Sequence, residues 1–335
     1  MSKRKSILFA GKDQVQVVDE EKLPSPAAGE IHVRTTRTLI STGTESIVLG
    51  RKFSPGTHYD NWVKYPFRPG YSHVGVVGAV GEGVNEFRAG DRVATRGSHS
   101  SQVMVKAIHA VKIPDRVSDD DAAWTALGKI AQVGVRAAEH RMGDAVVVIG
   151  LGLVGQLVVQ YVRLMGASEV IAIDPAEKRL AMAKSHGATV TLARPVAETL
   201  DEVKRITRDR GARIVYDVTG HHAVFPEALK LVADHGRLAL LGDTGTPELQ
   251  HLTPDVIRRG LTIVGAHDRH APADPTPGIE WDARRVFELF LNYLARGEMR
   301  VSDLVTHRFK PDQAADAYAM LQRERERAMG VIFEW

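Results

Sequence analysis

Three glycines with the spacing G-x-G-x-x-G are the clearest chemical signature in this sequence. Gly150, Gly152 and Gly155 follow the apolar, β-branched run 146–149 and precede a helical pattern at 157–165. Gly150 permits a tight turn, Gly152 lets the backbone approach a pyrophosphate, and Gly155 lets helix and strand pack closely. The free N–H groups at the helix N-terminus favour an anion. The spacing therefore predicts a dinucleotide site that includes Leu153 and Val154 between the glycines.

An acidic residue ends the next apolar run, 170–173, and this residue bears on the choice of nucleotide. Asp174 is placed to accept hydrogen bonds from both adenosine ribose hydroxyls and to repel a 2′-phosphate. This placement predicts NAD rather than NADP. The alternative is that Asp174 is a solvated turn residue before Pro175.

Alternating strand and helix patterns surround this turn. Between residues 145 and 266 they predict an α/β class unit with a doubly wound parallel sheet. Residues 6–120 contain short strands separated by glycine turns, which predicts a partly open β-barrel. The predicted helices lie at 176–186, 199–210, 224–233, 281–296 and 313–327, and the later strands lie at 190–192, 214–218, 237–241, 261–266 and 331–333.

Composition restricts the class of protein. The chain has 335 residues, 44% apolar and 25% charged, which is typical of a globular protein with two domains. The net charge of +3 and the lack of a basic run with aromatics give no support for nucleic-acid binding. No apolar stretch is long enough for a transmembrane helix or a signal peptide, so we expect a cytoplasmic protein with a small-molecule substrate and no membrane partner. There is no cysteine, which excludes thiolate chemistry.

Several further segments carry a family resemblance that covers essentially the whole chain. The chain resembles the medium-chain dehydrogenase/reductase superfamily of zinc alcohol dehydrogenases and quinone reductases. The resemblance implies a GroES-like catalytic domain at 1–130, a Rossmann domain at 131–267 and a return to the catalytic domain at 268–335. It also implies a homodimer or homotetramer paired through the edge strand 261–266. The segments that carry it, besides the glycine fingerprint, are Gly43-Thr44-Glu45, Pro69-Gly70, 75–77, 80–84 and 90–93.

Zinc-dependent members hold their metal with cysteine, histidine and acidic ligands, and this chain departs from that pattern. The matching positions are Thr42, then Tyr71 and Ser72, then Lys129. A lysine ammonium has no lone pair, and neutral hydroxyls are poor zinc ligands. The four-cysteine structural zinc loop is also absent. We therefore expect no metal.

Without a metal, the alkoxide-like charge of alcohol oxidation needs another donor or cation. Lys129 is the first candidate, because burial would lower its pKa and let it act near neutral pH; the alternative is a solvated lysine. Tyr71 is the second, as a phenolic donor to the same oxygen, or else a strand aromatic. Thr44 matches the proton-relaying hydroxyl of relatives, or else caps a turn. Glu45 is predicted to pair with Lys129 or Arg136, or to lie on the surface.

The resemblance also implies further cofactor and substrate contacts. Arg179 is predicted near the adenine or its ribose, and the other cofactor positions are Thr219, Gly242, Thr244, Ala266 and His267. Aromatic and polar residues would suit stacking on a sugar, with loop anchors or a subunit interface as the alternatives. His73 is either a substrate contact or a strand histidine with a satisfied ring. The candidate substrate contacts are Thr42, His58, Tyr59, His73 and His270.

Three functions are consistent with these residues. The first is an NAD-dependent, zinc-independent dehydrogenase of a secondary alcohol on a sugar, polyol or other hydroxylated ring. The Thr-Gly-Thr-Glu and Pro-Gly-Tyr segments are also similar to the branch with the bacteriochlorophyllide hydroxyethyl dehydrogenase, which implies room for a large ring. The second is an NAD(P)H-dependent quinone or enoyl reductase, against which Asp174 counts. The third is a nucleotide-binding protein without turnover.

Overall fold

The structure is a computed structural model that describes residues 3–335. Its backbone contacts divide the chain into two compact units. The first unit comprises the residues up to Lys52, His58–Lys129 and Ala271–Trp335. The second comprises Phe53–Thr57 and Ile130–His270. The second unit is thus largely one continuous insertion between the two parts of the first.

The first unit is built on antiparallel strands. A two-stranded sheet pairs β1 with β2, and a larger sheet has the order β14-β15-β3-β4-β5-β7 with β6 on β3. The first part of strand β3 carries buried residues on alternate positions, which suits a sheet with one face on a core. The strands are β1 Arg4–Gly11, β2 Gln14–Glu20, β3 Glu30–Leu39, β4 His73–Val80, β5 Arg92–Thr95, β6 Gln102–Lys106, β7 Val111–Lys112, β14 Val305–Phe309 and β15 Gly330–Glu334.

Helices of the first unit begin at recognisable caps. The Ser118 hydroxyl accepts the Asp121 N–H at 3.1 Å, and the Asp282 carboxylate accepts the Arg285 N–H at 2.9 Å. The helix α4 contains the boundary between the two units. The helices are α1 Thr44–Leu49, α2 His58–Trp62, α3 Asp119–Ala122, α4 Thr125–Ala137, α10 Ala283–Ala295 and α11 Ala314–Arg323, with short 3₁₀ turns at Ala107–His109, Ser302–Leu304 and Pro311–Gln313.

A six-stranded parallel sheet forms the centre of the second unit. Its order is β10-β9-β8-β11-β12-β13, so β10 and β13 are the edges. The order reverses beside β8, and ligands of such sheets bind at this switch point. The predicted doubly wound parallel sheet is confirmed. The strands are β8 Ala145–Ile149, β9 Glu169–Ile173, β10 Val190–Leu192, β11 Ala212–Asp217, β12 Val232–Leu240 and β13 Thr262–Gly265.

Central strands of this sheet are buried on both faces, as the apolar runs predict. Val146, Val147 and Val148 are 0% exposed and Ile149 is 3% exposed. Helices cover the sheet and pack their apolar faces on it. They are α5 Leu153–Leu164, α6 Glu177–Ser185, α7 Leu200–Ile206, α8 Val224–Leu231 and α9 Asp255–Arg258, with 3₁₀ turns at Val196–Glu198, Pro247–Leu249 and Asp268–His270.

Two helix predictions are too long. The helix predicted at 199–210 ends at Ile206, because Arg208 and Asp209 have positive φ angles of 54° and 60°. The helix predicted at 313–327 ends at Arg323, before a charged, exposed turn. Across residues 3–335, no helix has the length and apolar character needed to cross a membrane.

Candidate functional site

The glycine turn after β8 has the geometry of a phosphate cradle. Gly150 has a φ of +89°, and a Cβ added there would lie 2.7 Å from Thr219 Cγ2. At Gly155 a Cβ would lie 2.0 Å from the Gly150 carbonyl oxygen. At Gly152 an added Cβ meets nothing within 4 Å. Protein packing thus requires glycine at the first and third positions. The second position faces open space, where the lack of a side chain lets the protein backbone approach a ligand.

Asp174 at the end of β9 is tied to this turn. Its side chain is buried, and Oδ2 accepts the Leu151 N–H at 2.8 Å while Oδ1 accepts the Ala176 N–H at 2.9 Å. Each carboxylate oxygen has a second lone pair for a further donor. Arg179 lies close by, with Nη1 3.8 Å from Asp174 Oδ2. The carboxylate is therefore held against the glycine turn rather than solvated in a surface turn.

Sequence reasoning missed Gln156, which strengthens this arrangement. The residue is 0% exposed, and its amide nitrogen donates to the Leu151 carbonyl at 3.1 Å and to the Arg179 carbonyl at 2.8 Å. It thereby joins the glycine turn to the start of α6. A polar residue among the apolar residues of the fingerprint helix was the available signal.

The other predicted cofactor positions lie beyond the ends of β11, β12 and β13. Thr219 donates its hydroxyl to Asp217 Oδ1 at 2.6 Å. A Cβ on Gly242 would lie 2.1 Å from the Gly220 nitrogen, so these two turns touch through backbone. Thr244 is buried and Ala266 donates its N–H to the Leu240 carbonyl at 3.0 Å, whereas His267 is exposed and its Nδ1 accepts the Arg269 N–H at 3.2 Å. These positions border the same carboxyl edge of the sheet.

Three hydroxyl groups meet in the first unit. The Tyr71 phenol donates to Ser41 Oγ at 2.5 Å, and it also has a hydrogen-bonding contact with the Thr44 side chain. Burial raises the pKa of Tyr71 above its ordinary value, against the lowering effect of these hydrogen bonds and of Arg96. The Arg96 guanidinium lies 4.9 Å from the centre of the Tyr71 ring. The prediction that Tyr71 donates to substrate is corrected in one respect, because its proton is engaged by Ser41.

A buried carboxylate lies next to these hydroxyls, and the sequence did not identify its partners. Glu45 is 2% exposed and accepts hydrogen bonds from Ser41 N–H, His99 Nε2–H and the Tyr318 phenol. The prediction that Glu45 pairs with Lys129 or Arg136, or lies on the surface, is therefore corrected. Its partners lie far away in the sequence, and only the fold brings them together.

Lys129 lies on α4 and is 3% exposed, which removes the alternative of a solvated lysine. The preceding Gly128 packs tightly, since an added Cβ would lie 2.6 Å from Phe290 Cγ. The donor set does not fit zinc: Thr42 is a neutral hydroxyl, the Tyr71 phenol keeps its proton, and lysine is not among the cysteine, histidine and carboxylate side chains that bind zinc. Within residues 3–335, no three histidine, aspartate or glutamate side chains converge as a metal site would require.

His73 is corrected as a substrate contact. It lies in β4 and is 1% exposed, and its Nε2 is 2.7 Å from Thr35 Oγ1. The Thr35 hydroxyl donates to the Ser100 carbonyl, so the His73 Nε2–H must be the donor to Thr35. A buried ring held in this way is a structural strand histidine.

The burial of His73 predicts a loss of stability in acid. Burial, together with the nearby His99, lowers the pKa of His73 from 6.5 to about 3. Below about pH 6.5, His73 is therefore protonated in the unfolded chain but not in the folded chain. The stability is full above that pH and falls in acid. His73→Gln keeps a donor for Thr35 but removes this titration. Between about pH 7 and about pH 5, we expect its free energy of unfolding to fall by about 2 kcal/mol less than that of the wild type. Urea unfolding at both pH values measures this, and equal losses in the two proteins would contradict it.

Some of the other predicted substrate contacts are buried and some are exposed to solvent. Thr42 is buried and its carbonyl accepts the Ser46 hydroxyl at 2.6 Å. Tyr59 is 4% exposed, so its prediction as a stacking surface is corrected. His58 lies beside it in α2, while Trp62 on the same helix is 50% exposed and packs edge-on against Phe67. His270 is exposed in the 3₁₀ turn at Asp268–His270.

Comparison with protein families matches both units. The family model described as "Alcohol dehydrogenase GroES-like domain" covers residues 28–115, and the one described as "Zinc-binding dehydrogenase" covers residues 154–280. The chain belongs to the medium-chain dehydrogenase/reductase superfamily. It is an oxidoreductase of the alcohol dehydrogenase type.

Curated relatives of this oxidoreductase are similar over three quarters or more of their length. D-Guloside 3-dehydrogenase of Escherichia coli is 29% identical, with 97% of this chain and 99% of the relative covered. Starvation-sensing protein RspB of Escherichia coli is 25% identical, with 98% of each covered. Sorbitol dehydrogenase of Bacillus subtilis is 28% identical over 76% of this chain and 77% of the relative.

Solved structures show the same fold. Galactitol-1-phosphate dehydrogenase from Escherichia coli has a TM-score of 0.83 at 21% identity, with 99% of this chain and 100% of that chain covered. An alcohol dehydrogenase from Escherichia coli CFT073, solved with the cofactor NADH, has a TM-score of 0.81 at 24% identity with both chains fully covered. A dehydrogenase from Sinorhizobium meliloti with a TM-score of 0.82, at 19% identity with both chains fully covered, was solved with NADP.

Proposed function

We propose that this oxidoreductase oxidises a secondary alcohol on a sugar, polyol or other hydroxylated ring, with NAD and without zinc. The observation that carries the proposal is the change of donor set. The family resemblance matches Thr42, Tyr71 and Lys129 to the metal-ligand positions of zinc-dependent members, and in this chain the Tyr71 phenol bonds to Ser41 while Lys129 is buried. The similarity to D-guloside and sorbitol dehydrogenases supports a polyhydroxylated substrate.

The nucleotide-binding residues support the choice of NAD. The Gly150–Gly155 turn would hold the pyrophosphate, and Asp174 would accept hydrogen bonds from the adenosine ribose. A buried carboxylate held at this position opposes a second phosphate by charge repulsion. Bound NAD supplies the hydride acceptor of the reaction.

The first unit supplies groups for the alcohol proton and the oxygen charge. Oxidation breaks the carbinol C–H bond, whose hydride leaves with the cofactor, and the O–H bond, whose proton passes to the protein. The Tyr71 oxygen accepts the substrate proton while each hydroxyl of the Tyr71, Ser41 and Thr44 chain passes its own proton on, so that one proton leaves to solvent at the half-buried Thr44. We assign Lys129 to stabilise the negative charge on the substrate oxygen.

The direct test is a substrate panel. Protein is incubated with NAD or NADP and a set of sugars, polyols and secondary alcohols, and the reduced cofactor is followed by absorbance. We expect NAD-linked oxidation of at least one polyhydroxylated compound. Reduction of quinones or enones with NADPH, and no alcohol oxidation, would instead favour the reductase function. Saturable NADH binding with no hydride exchange would indicate a protein without turnover.

We further propose a homodimer, or a tetramer of such dimers, through the edge strand β13. Among residues 3–335, only β12 pairs with β13 in the sheet. Since the Ala266 N–H bonds to β12, alternation places the Ile263 N–H on the open edge. Light scattering at micromolar concentration should give at least twice the chain mass of 36.7 kDa, and Ile263→Pro, which removes one edge donor, should shift the protein towards monomer. A wild-type monomer would overturn this.

A further inference from the structure

We propose that Glu45, through Ser41, is the positioning residue that orients the Tyr71 and Thr44 hydroxyls, in a superfamily where other members use a zinc ion at this turn. The inference rests on the proposed function, because it assigns Tyr71 and Thr44 to the alcohol proton. The carboxylate lies in the first turn of α1, one residue after Thr44. Its side chain is hydrogen-bonded to Ser41, His99 and Tyr318, so it acts on Tyr71 and Thr44 through its neighbours.

The partners of Glu45 all present donors, which fixes the direction of every hydrogen bond. Trp335 Nε1–H donates to Thr38 Oγ1 at 3.0 Å, since an indole nitrogen only donates. The Thr38 hydroxyl can then donate to His99 Nδ1 at 2.8 Å. Because a carboxylate only accepts, the His99 Nε2–H is the donor to Glu45 Oε2 at 3.1 Å. Trp335, directly after β15, and the His99 segment therefore both help to hold the carboxylate in one orientation.

Tyr318 supplies the third donor from helix α11. Its phenol lies 2.5 Å from Glu45 Oε2 and is 1% exposed. Burial, reinforced by the Glu45 charge, raises the pKa of Tyr318 well above its ordinary value, so it keeps its proton and donates. A buried carboxylate with donors on both oxygens is satisfied, and its geometry is rigid.

Ser41 transmits this rigidity to the hydroxyl cluster. The Ser41 N–H donates to Glu45 Oε1 at 2.8 Å, and the Ser41 carbonyl accepts the Glu45 N–H at 2.9 Å. These reciprocal bonds pin the Ser41 backbone on both sides. The Ser41 Oγ accepts the Tyr71 phenol, so the direction of the Tyr71 proton follows from the position of Ser41.

Two readouts separate positioning from a purely structural role. The first compares the change in kcat with the change in cofactor binding in Tyr318→Phe, a variant that removes one hydrogen-bond donor and little volume. We expect kcat to fall about tenfold, equivalent to about 1.4 kcal/mol in the barrier. The dissociation constant of NADH should stay within about twofold, because the cofactor residues belong to the other unit. The matched control is Tyr216→Phe, which removes a phenol that is also buried and bonded to a histidine, His140; it should keep kcat within about twofold.

The second readout is the ionisation of Tyr71 itself, measured without substrate. Burial is the main cause of the raised pKa of Tyr71, and the negative charge of Glu45 adds to it, so Glu45→Gln should lower that pKa. Ultraviolet difference titration isolates this phenol when each protein is compared with its own Tyr71→Phe derivative. Because no turnover is needed, this result stands even if the wild type oxidises no alcohol, an outcome that would refute only the proposed function.

Outcomes that overturn the inference are equally specific. An unchanged Tyr71 titration in folded Glu45→Gln shows that the carboxylate does not act on the phenol. Equal losses of kcat in Tyr318→Phe and Tyr216→Phe show that removing another buried phenol lowers kcat as much as removing that of Tyr318. If Glu45→Gln does not fold, the comparison of kcat between Tyr318→Phe and Tyr216→Phe alone tests the inference.

Discussion

Replacing Lys129 by alanine should lower kcat by about 10²–10³-fold, the usual effect of removing one donor to a developing oxyanion. The lysine is 3% exposed, and in our account its ammonium stabilises the oxygen charge that zinc stabilises in relatives. Alanine leaves a cavity at this position. Small primary amines added to the assay should therefore restore part of the activity, since they return the missing ammonium.

The control for this prediction lies on the same helix. Gln132 is also 3% exposed and hydrogen-bonds to the Tyr161 phenol, so Gln132→Ala removes a buried polar side chain of similar length. We expect it to reduce stability and to leave kcat within a few-fold. If Lys129→Ala keeps near wild-type kcat, or if both variants lose activity equally, Lys129 has no special role in the reaction.

Replacing Asp174 by serine should reverse the preference for NAD. Each hydrogen bond from a ribose hydroxyl to a charged group is worth about 1.5–3 kcal/mol, so kcat/KM with NAD should fall about 10–100-fold. Use of NADP should improve, because the charge that repels a 2′-phosphate is gone and Arg179 lies 3.8 Å from the same position. Serine keeps one acceptor for the Leu151 N–H. The measurement is the ratio of kcat/KM values for the two cofactors.

A second carboxylate provides the comparison for this ratio. Asp217 ends β11, is 1% exposed and also accepts a backbone N–H, that of Thr219 at 2.9 Å. Asp217→Ser should reduce stability without changing the ratio between NAD and NADP. A ratio that changes as much for Asp217→Ser as for Asp174→Ser would mean that specificity does not reside in Asp174.

The nucleotide-binding unit could be predicted because its signals are local. The apolar run before Gly150, the glycine spacing and the acid after the next run all lie within about 30 residues, the length of one strand–helix–strand repeat. Local backbone geometry calls for glycine at two of these positions, because Gly150 has a positive φ and a Cβ on Gly155 would meet the Gly150 carbonyl oxygen. The partners of Asp174 and the role of Gln156 required the folded turn.

The hydroxyl cluster of the first unit could be predicted only in part. Tyr71 and Thr44 were identified through the family resemblance, but the direction of the Tyr71 proton depends on Ser41. Glu45 meets His99 across 54 residues and Tyr318 across 273 residues, and no pattern in the sequence marks such pairs. The helices α1 and α2 have six and five residues, too short for a helical period to be recognised.

Activity without metal tests the central claim most directly. The protein is stripped with a chelator, its metal content is measured, and oxidation of the best substrate is followed with NAD before and after zinc is added. We predict full turnover in the metal-free protein and no stimulation by zinc. An inactive stripped protein that regains turnover with one zinc per chain would contradict the account, and would require metal ligands other than Thr42, Tyr71 and Lys129.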